Sequence, residues 1–175
     1  MPVSVLFPER IASESSESDI APTCSKSFTT VSCGPASFHV MAKPSGALCN
    51  LDCRYCFYLD KESLYAPGGR SRMSDAVLSA YVRQQFESQQ GPEVVFAWQG
   101  GEPTLLGVEF FERAVELQRQ FGAGRTVQNA FQTNGVLLDD TWGEFLKRER
   151  FLVGLSVDGP AALHDVHRVD KAGRP

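Results

Sequence analysis

The chain has 175 residues, 42% of them hydrophobic, which suffices for one buried core. A formal net charge of −4 excludes a polybasic face for nucleic acid or an anionic membrane surface. No apolar run approaches the roughly 20 residues that span a bilayer. Residues 1–10 lack the basic and apolar regions of a secretory signal, so the expected location is cytoplasmic.

Residues 1–37 are expected to form a disordered leader. The run Ser13-Glu14-Ser15-Ser16-Glu17-Ser18-Asp19 is acidic and has too little apolar surface to offset its ordering entropy. Cys24 and Cys33 fall here, apart from the other cysteines, and are expected to be free thiols. The pattern changes at Phe38, and residues 38–175 are expected to form an incomplete core domain. Residues 38–42 read as a strand, closed by the turn Lys43-Pro44-Ser45-Gly46. A cysteine-rich loop follows. Ser74-Asp75 predicts the start of a helix with Val77, Leu78, Tyr81, Val82 and Phe86 on one face.

Gly91-Pro92 breaks the chain before a buried-type strand at 94–98 and the turn Gln99-Gly100-Gly101-Glu102-Pro103. A helix is predicted over 108–121, with Phe111, Ala114, Val115 and Leu117 facing inward. Then come a strand over 126–131, the turn Gln132-Thr133-Asn134-Gly135 and a helix over 140–148. A fourth strand over 151–155 leads into Ser156-Val157-Asp158-Gly159-Pro160 and a short helix over 161–166. His39 and Trp98 are expected to pack in the core or at its rim.

This alternation predicts an α/β fold with a parallel sheet, a partial (β/α) barrel of about four units. A closed barrel needs eight. The sequence stops at Gly173-Arg174-Pro175 directly after an incipient helix, so truncation at the C-terminus is expected. In such folds ligands sit at the C-terminal strand ends. The cysteine loop and the three Gly-containing turns are therefore expected to share one rim.

Cys49, Cys53 and Cys56 are spaced Cys-x3-Cys-x2-Cys. Iron–sulfur clusters are normally held by four thiolates, so three on one loop leave the fourth iron open for chemistry. A zinc site is the competing reading, with His39 or His164 as fourth ligand. The absence of a second Cys-x2-Cys favours the cluster, because structural zinc sites are typically closed by four ligands.

Four segments together, CNLDCRYCFYL (49–59), QGGEPTLL (99–106), FQTNGVLL (131–138) and LSVDGP (155–160), resemble the radical S-adenosylmethionine (SAM) superfamily. Within it they are similar to the N-terminal part of the anaerobic sulfatase-maturating enzymes, from Phe38 to the last residue. The resemblance implies a barrel of the radical SAM type. It implies that Cys49, Cys53 and Cys56 hold a [4Fe–4S] cluster whose open iron SAM chelates, and that reductive cleavage of SAM gives a 5′-deoxyadenosyl radical. By the same resemblance, Tyr55 reaches the adenine and Gly100 and Gly101 allow close approach to SAM. Glu102 accepts from its ammonium, Ser156 bonds its ribose or carboxylate, and Arg168 pairs with the carboxylate. Thr133 and Asn134 could line the cavity, with Gln99 and Tyr58 on the substrate side.

The implied partners are an unfolded sulfatase or other peptide, whose Cys or Ser becomes formylglycine, and a reductant such as a flavodoxin or ferredoxin. The general base and two further clusters belong to a C-terminal half that this sequence lacks, so no catalytic residue is expected within it. His167 stands where Tyr or Phe is more familiar. Alternatives are a maturase of another peptide, a non-catalytic cluster-binding fragment and, least favoured, a zinc-binding adaptor.

Overall fold

A computed structural model describes residues 38–58 and 72–175. The expected leader, with Cys24 and Cys33, lies outside the described residues. The described elements are β1 (Met41–Ala42), α1 (Asp75–Ser88), β2 (Glu93–Trp98), a single 3-10 turn (Pro103–Leu106), α2 (Val108–Phe121), β3 (Thr126–Thr133), α3 (Asp140–Arg148), β4 (Leu152–Leu155) and α4 (Ala161–His167).

The four strands form one parallel sheet in the order β1-β2-β3-β4. Doubly wound sheets reverse their strand order at a switch point. Here spatial order follows chain order, as along the arc of a (β/α) barrel. The fold is therefore a partial barrel with four strands and four helices among the described residues.

Strand alternation builds the core. In β2, Val94, Phe96 and Trp98 are at most 1% exposed. They pack with Leu78, Val82 and Phe86 of α1, Phe111, Ala114 and Leu117 of α2, and Trp142, Phe145 and Leu146 of α3. Phe111 and Phe131 meet edge to face at 5.0 Å between ring centroids, a favoured aromatic geometry.

Each helix begins where the local chemistry directs it. Ser74 Oγ accepts from the Val77 N–H at the start of α1, and Asp139 accepts from the Trp142 N–H at the start of α3. Gly107, at φ 83°, closes the 3-10 turn by donating its N–H to the Thr104 carbonyl and opens α2. That turn is not evident in the sequence reading. Two other details differ. Val77 is 45% exposed, whereas Gln85 is buried and donates to the Val95 carbonyl at 3.1 Å. The strand expected over 38–42 narrows to Met41–Ala42, the two residues that pair with Ala97 and Trp98 of β2; Phe38 and His39 are exposed.

A buried polar knot crosses the core. Asn129 Oδ1 accepts from Trp98 Nε1 at 2.8 Å and from Gln118 Nε2 at 2.9 Å, and Asn129 Nδ2 donates to Gln118 Oε1 at 2.9 Å. Asn129→Ala leaves the Trp98 and Gln118 donors buried without an acceptor. It is expected to cost about 2–3 kcal/mol, read as a lower urea midpoint at unchanged m value.

Among the described residues β4 pairs with β3 alone, and Leu152 is 73% and Leu155 54% exposed. Among them no helix is long and apolar enough to cross a membrane.

Candidate functional site

The four strand-end loops meet at one rim, joined by direct hydrogen bonds. Ser45, after β1, donates from Oγ to the Gly100 carbonyl at 2.9 Å. The Glu102 N–H, after β2, donates to the Leu48 carbonyl at 2.8 Å, one residue before Cys49. Glu102 is 1% exposed. Its Oε1 accepts from Thr104 N, Thr104 Oγ1 and Thr133 Oγ1 at 3.0, 2.7 and 2.8 Å, and its Oε2 accepts from Asn134 N at 2.8 Å. A buried carboxylate is stable only when hydrogen-bonded this thoroughly. Glu102 thus fastens the loop after β2 to the end of β3, and Oε2 keeps capacity for another donor.

The glycines explain themselves by a close approach. A Cβ on Gly101, at φ 51°, would stand 2.1 Å from the Leu48 carbonyl oxygen, and one on Gly100, at φ 90°, 2.5 Å from Lys43 Cγ. Only glycine lets the turn after β2 lie this near the cysteine loop.

The cysteine loop is clamped from its far side. Asp52 N donates to the Val169 carbonyl at 2.7 Å and Arg54 N to the His167 carbonyl at 2.9 Å. Leu51 and Asp170 form an antiparallel bridge. The Cys49 sulfur receives the Leu51 N–H at 3.4 Å and the Cys56 sulfur the Tyr58 N–H at 3.4 Å. Cys53 is buried, while Cys49 and Cys56 are partly exposed. Burial pushes the Cys49 thiol above its usual pKa, against the Leu51 N–H, and Glu102 adds to the rise. Burial also raises Cys53, opposed by the nearby Arg168 guanidinium. Ligation requires deprotonated sulfurs, so metal uptake here releases protons.

A side-chain latch completes the clamp. Asp158 Oδ2 accepts from Tyr55 Oη at 2.5 Å and Arg168 Nε at 2.8 Å, and Oδ1 accepts from Arg168 Nη2 at 3.1 Å. The Tyr55 ring lies edge-on to His167, centroids 5.8 Å apart, so the imidazole serves as the aromatic partner at that position. Arg168, then Tyr55, hold the Asp158 carboxyl below its ordinary pKa of 3.8. A group lowered in the folded state stabilises at pH above its unfolded value and loses that contribution as pH falls through the folded one. The latch is therefore expected to open only as pH falls below the ordinary carboxylate range. Asp158→Asn should flatten the acid limb of a stability–pH profile there and leave the neutral-to-alkaline shape unchanged.

Other residues named from sequence fall as follows. Ser156 Oγ accepts from Gln132 Nε2 at 2.9 Å, which leaves its hydroxyl proton available to a ligand. Gln99 N donates to the Ala42 carbonyl at 2.9 Å. The Tyr58 ring lies 4.4 Å from Lys43 Nζ. Trp98 is core, and His39 is exposed and outside the core. His164 Nδ1 accepts from the Asp158 N–H at 3.4 Å. Sequence reasoning assigned no role to Asp158 and missed the clamp by residues 167–170; nothing local signals either.

The donor chemistry suits a cluster. Three thiols curl along one short loop, two of them already receiving backbone N–H groups as ligating sulfurs do. Among the described residues, no three Cys, His, Asp or Glu side chains are grouped as a site for one metal ion.

A parallel sheet in chain order with a three-thiol loop at its rim is a partial (β/α) barrel whose strand ends carry the cysteines. Residues 44–174 match the family described as the radical SAM superfamily, and the chain belongs to that superfamily. It is 45% identical over 137 residues to a serine-type anaerobic sulfatase-maturating enzyme of Bacteroides thetaiotaomicron, covering 78% of this chain and 33% of that protein. It is 42% identical over 135 residues to a cysteine-type enzyme of Clostridium perfringens, covering 77% and 36%. The solved structure of native anSMEcpe with bound AdoMet superposes with a TM-score of 0.68 at 44% identity, covering 75% of this chain and 36% of that one. The structure of the same protein with AdoMet and the Cp18Cys peptide gives 0.66 at 43% identity, covering 75% and 34%. The chain spans about a third of the length of the curated relatives it matches.

Proposed function

We propose that this chain is the cluster- and SAM-binding portion of a radical SAM enzyme that modifies peptides, of the kind that matures sulfatases by oxidising a Cys or Ser to formylglycine. The observation that carries the reading is the three-cysteine loop, tied by hydrogen bonds into the loops after β2, β3 and β4. Cys49, Cys53 and Cys56 would hold the [4Fe–4S] cluster. Bound there, it supplies one-electron reduction of SAM, the chemistry from which hydrogen abstraction begins.

The chain's own residues bind and orient. Glu102 Oε2, with one protein donor, accepts from the SAM ammonium. Ser156 donates its free hydroxyl proton to a ribose or carboxylate oxygen. Gly100 and Gly101 bring backbone rather than side chain to the rim. Arg168 and Tyr55 line the side nearest Cys53, aligned by Asp158. Similarity to both serine-type and cysteine-type relatives, and to a structure holding a peptide, supports a peptide substrate. A flavodoxin or ferredoxin would supply the electron.

The test is anaerobic reconstitution with iron and sulfide, followed by reduction and EPR spectroscopy with and without SAM. A brown protein with about four irons per chain, whose reduced signal changes on adding SAM, is expected. Colourless protein carrying a single zinc, or a cluster spectrum indifferent to SAM, overturns the proposal.

A further inference from the structure

We infer that Asn134 is a positioning residue for the metal site, whose side-chain amide donates an N–H hydrogen bond to the Cys49 sulfur and thereby raises the reduction potential of the cluster that the cysteines hold. The inference rests on the cluster reading above and adds a residue from a different strand end. Asn134 Nδ2 lies 3.7 Å from Cys49 Sγ and 2.8 Å from Asn50 Oδ1. A primary amide has two N–H bonds, and here two acceptors stand in front of them.

The orientation of the amide is fixed from both ends. Val136 N donates to Asn134 Oδ1 at 3.0 Å, and Asn134 N donates to Glu102 Oε2 at 2.8 Å. The flipped amide would set its oxygen against Asn50 Oδ1 and its nitrogen against the Val136 N–H, losing both bonds. Asparagine is therefore suited to this position: it offers one acceptor toward Val136 and two donors toward the cysteine loop. In the free protein the Cys49 S–H points at Asn50 Oδ1, 3.7 Å away. Once that proton leaves on ligation, the sulfur only accepts, and it takes the Leu51 N–H and the Asn134 amide.

Reduction adds negative charge to the cluster and its sulfurs. N–H donors to those sulfurs therefore favour the reduced state and raise the potential. A side-chain donor can be removed by mutation, unlike the backbone donor of Leu51. This makes the contribution of Asn134 separable.

The experiment is an EPR-monitored redox titration of the reconstituted parent chain, Asn134→Ala and Asn134→Asp. Aspartate keeps the acceptor for Val136 but presents a carboxylate to the sulfur. Both variants are expected to titrate at more negative potential than the parent, aspartate further than alanine. Potentials equal to the parent's overturn the inference. A second measurement needs no variant: the reduced parent cluster, with asparagine side-chain amides labelled with 15N, is expected to show a resolved nitrogen hyperfine coupling. Its absence also overturns the inference. Failure of the parent to form any cluster would instead sink the functional proposal, so the two failures are distinguishable.

Discussion

Glu102→Ala is expected to lower the melting temperature by roughly 10 °C and to abolish iron uptake. Alanine removes the acceptor for four donors on Thr104, Thr133 and Asn134, in a place that is 1% exposed. An orphaned buried donor costs about 1–3 kcal/mol, and costs within one network do not simply add. A net loss of about 3 kcal/mol for the network as a whole is therefore expected, and a domain of this size loses about 3–4 °C for each kcal/mol. The damage extends to the metal because Asn134, released from Glu102, no longer holds its amide toward Cys49. Glu102→Gln separates the effects. Its oxygen can keep the Oε1 donors while its amide nitrogen faces the Asn134 N–H, so the fold should survive with the end of β3 loosened. Calorimetry and iron analysis of the two variants check this, and an alanine variant melting within about 2 °C of the parent would refute it.

Gly101→Ala should disable the metal site by a different route, through contact with the backbone. The new Cβ would meet the Leu48 carbonyl oxygen at 2.1 Å and its carbon at 2.9 Å. No rotamer change relieves a clash with main chain, so Leu48 must move, and Cys49 with it. Overpacking of this sort costs about 1–3 kcal/mol. Reconstituted iron content is expected to fall below half of the parent's. Gly124→Ala is the matched control: φ is positive there too, at 80°, but a Cβ would meet nothing within 4 Å. Equal iron content in the two variants would mean that backbone strain, and not the approach to Leu48, explains the loss.

The order of elements is legible because start signals are local. Gly107 and Asp139 sit immediately before α2 and α3, and the bounds of both helices agree with those read from sequence. β1 shortens because an apolar run does not say where pairing begins: only Met41 and Ala42 find partners, in Ala97 and Trp98. Gln85, Gln118 and Asn129 escape notice because a periodicity of apolar residues cannot register a polar side chain that is buried with its partners. At the site, the shared rim follows from the rule that loops after parallel strands gather on one side. The partnerships across it do not. Tyr55 and Asp158 are 103 positions apart, Cys49 and Asn134 85, and Glu102 and Thr133 31. No propensity or spacing encodes such pairs. They exist only after the sheet has set the loops side by side. Glu102 is the instructive case: a carboxylate that sequence assigns to a ligand turns out also to be the fastener between two loops.

The strap from His167 to Asp170 across the cysteine loop has a bearing on how the protein is made. The thiols leave the ribosome early, yet the backbone that braces them on Leu51, Asp52 and Arg54 is among the last described stretches to emerge. At the usual pace of translation the interval is on the order of ten seconds. During it the nascent loop has its sulfurs but not its brace. If the loop holds iron, loading in its braced form waits until residues 167–170 have emerged, and the three thiols stay unguarded until then.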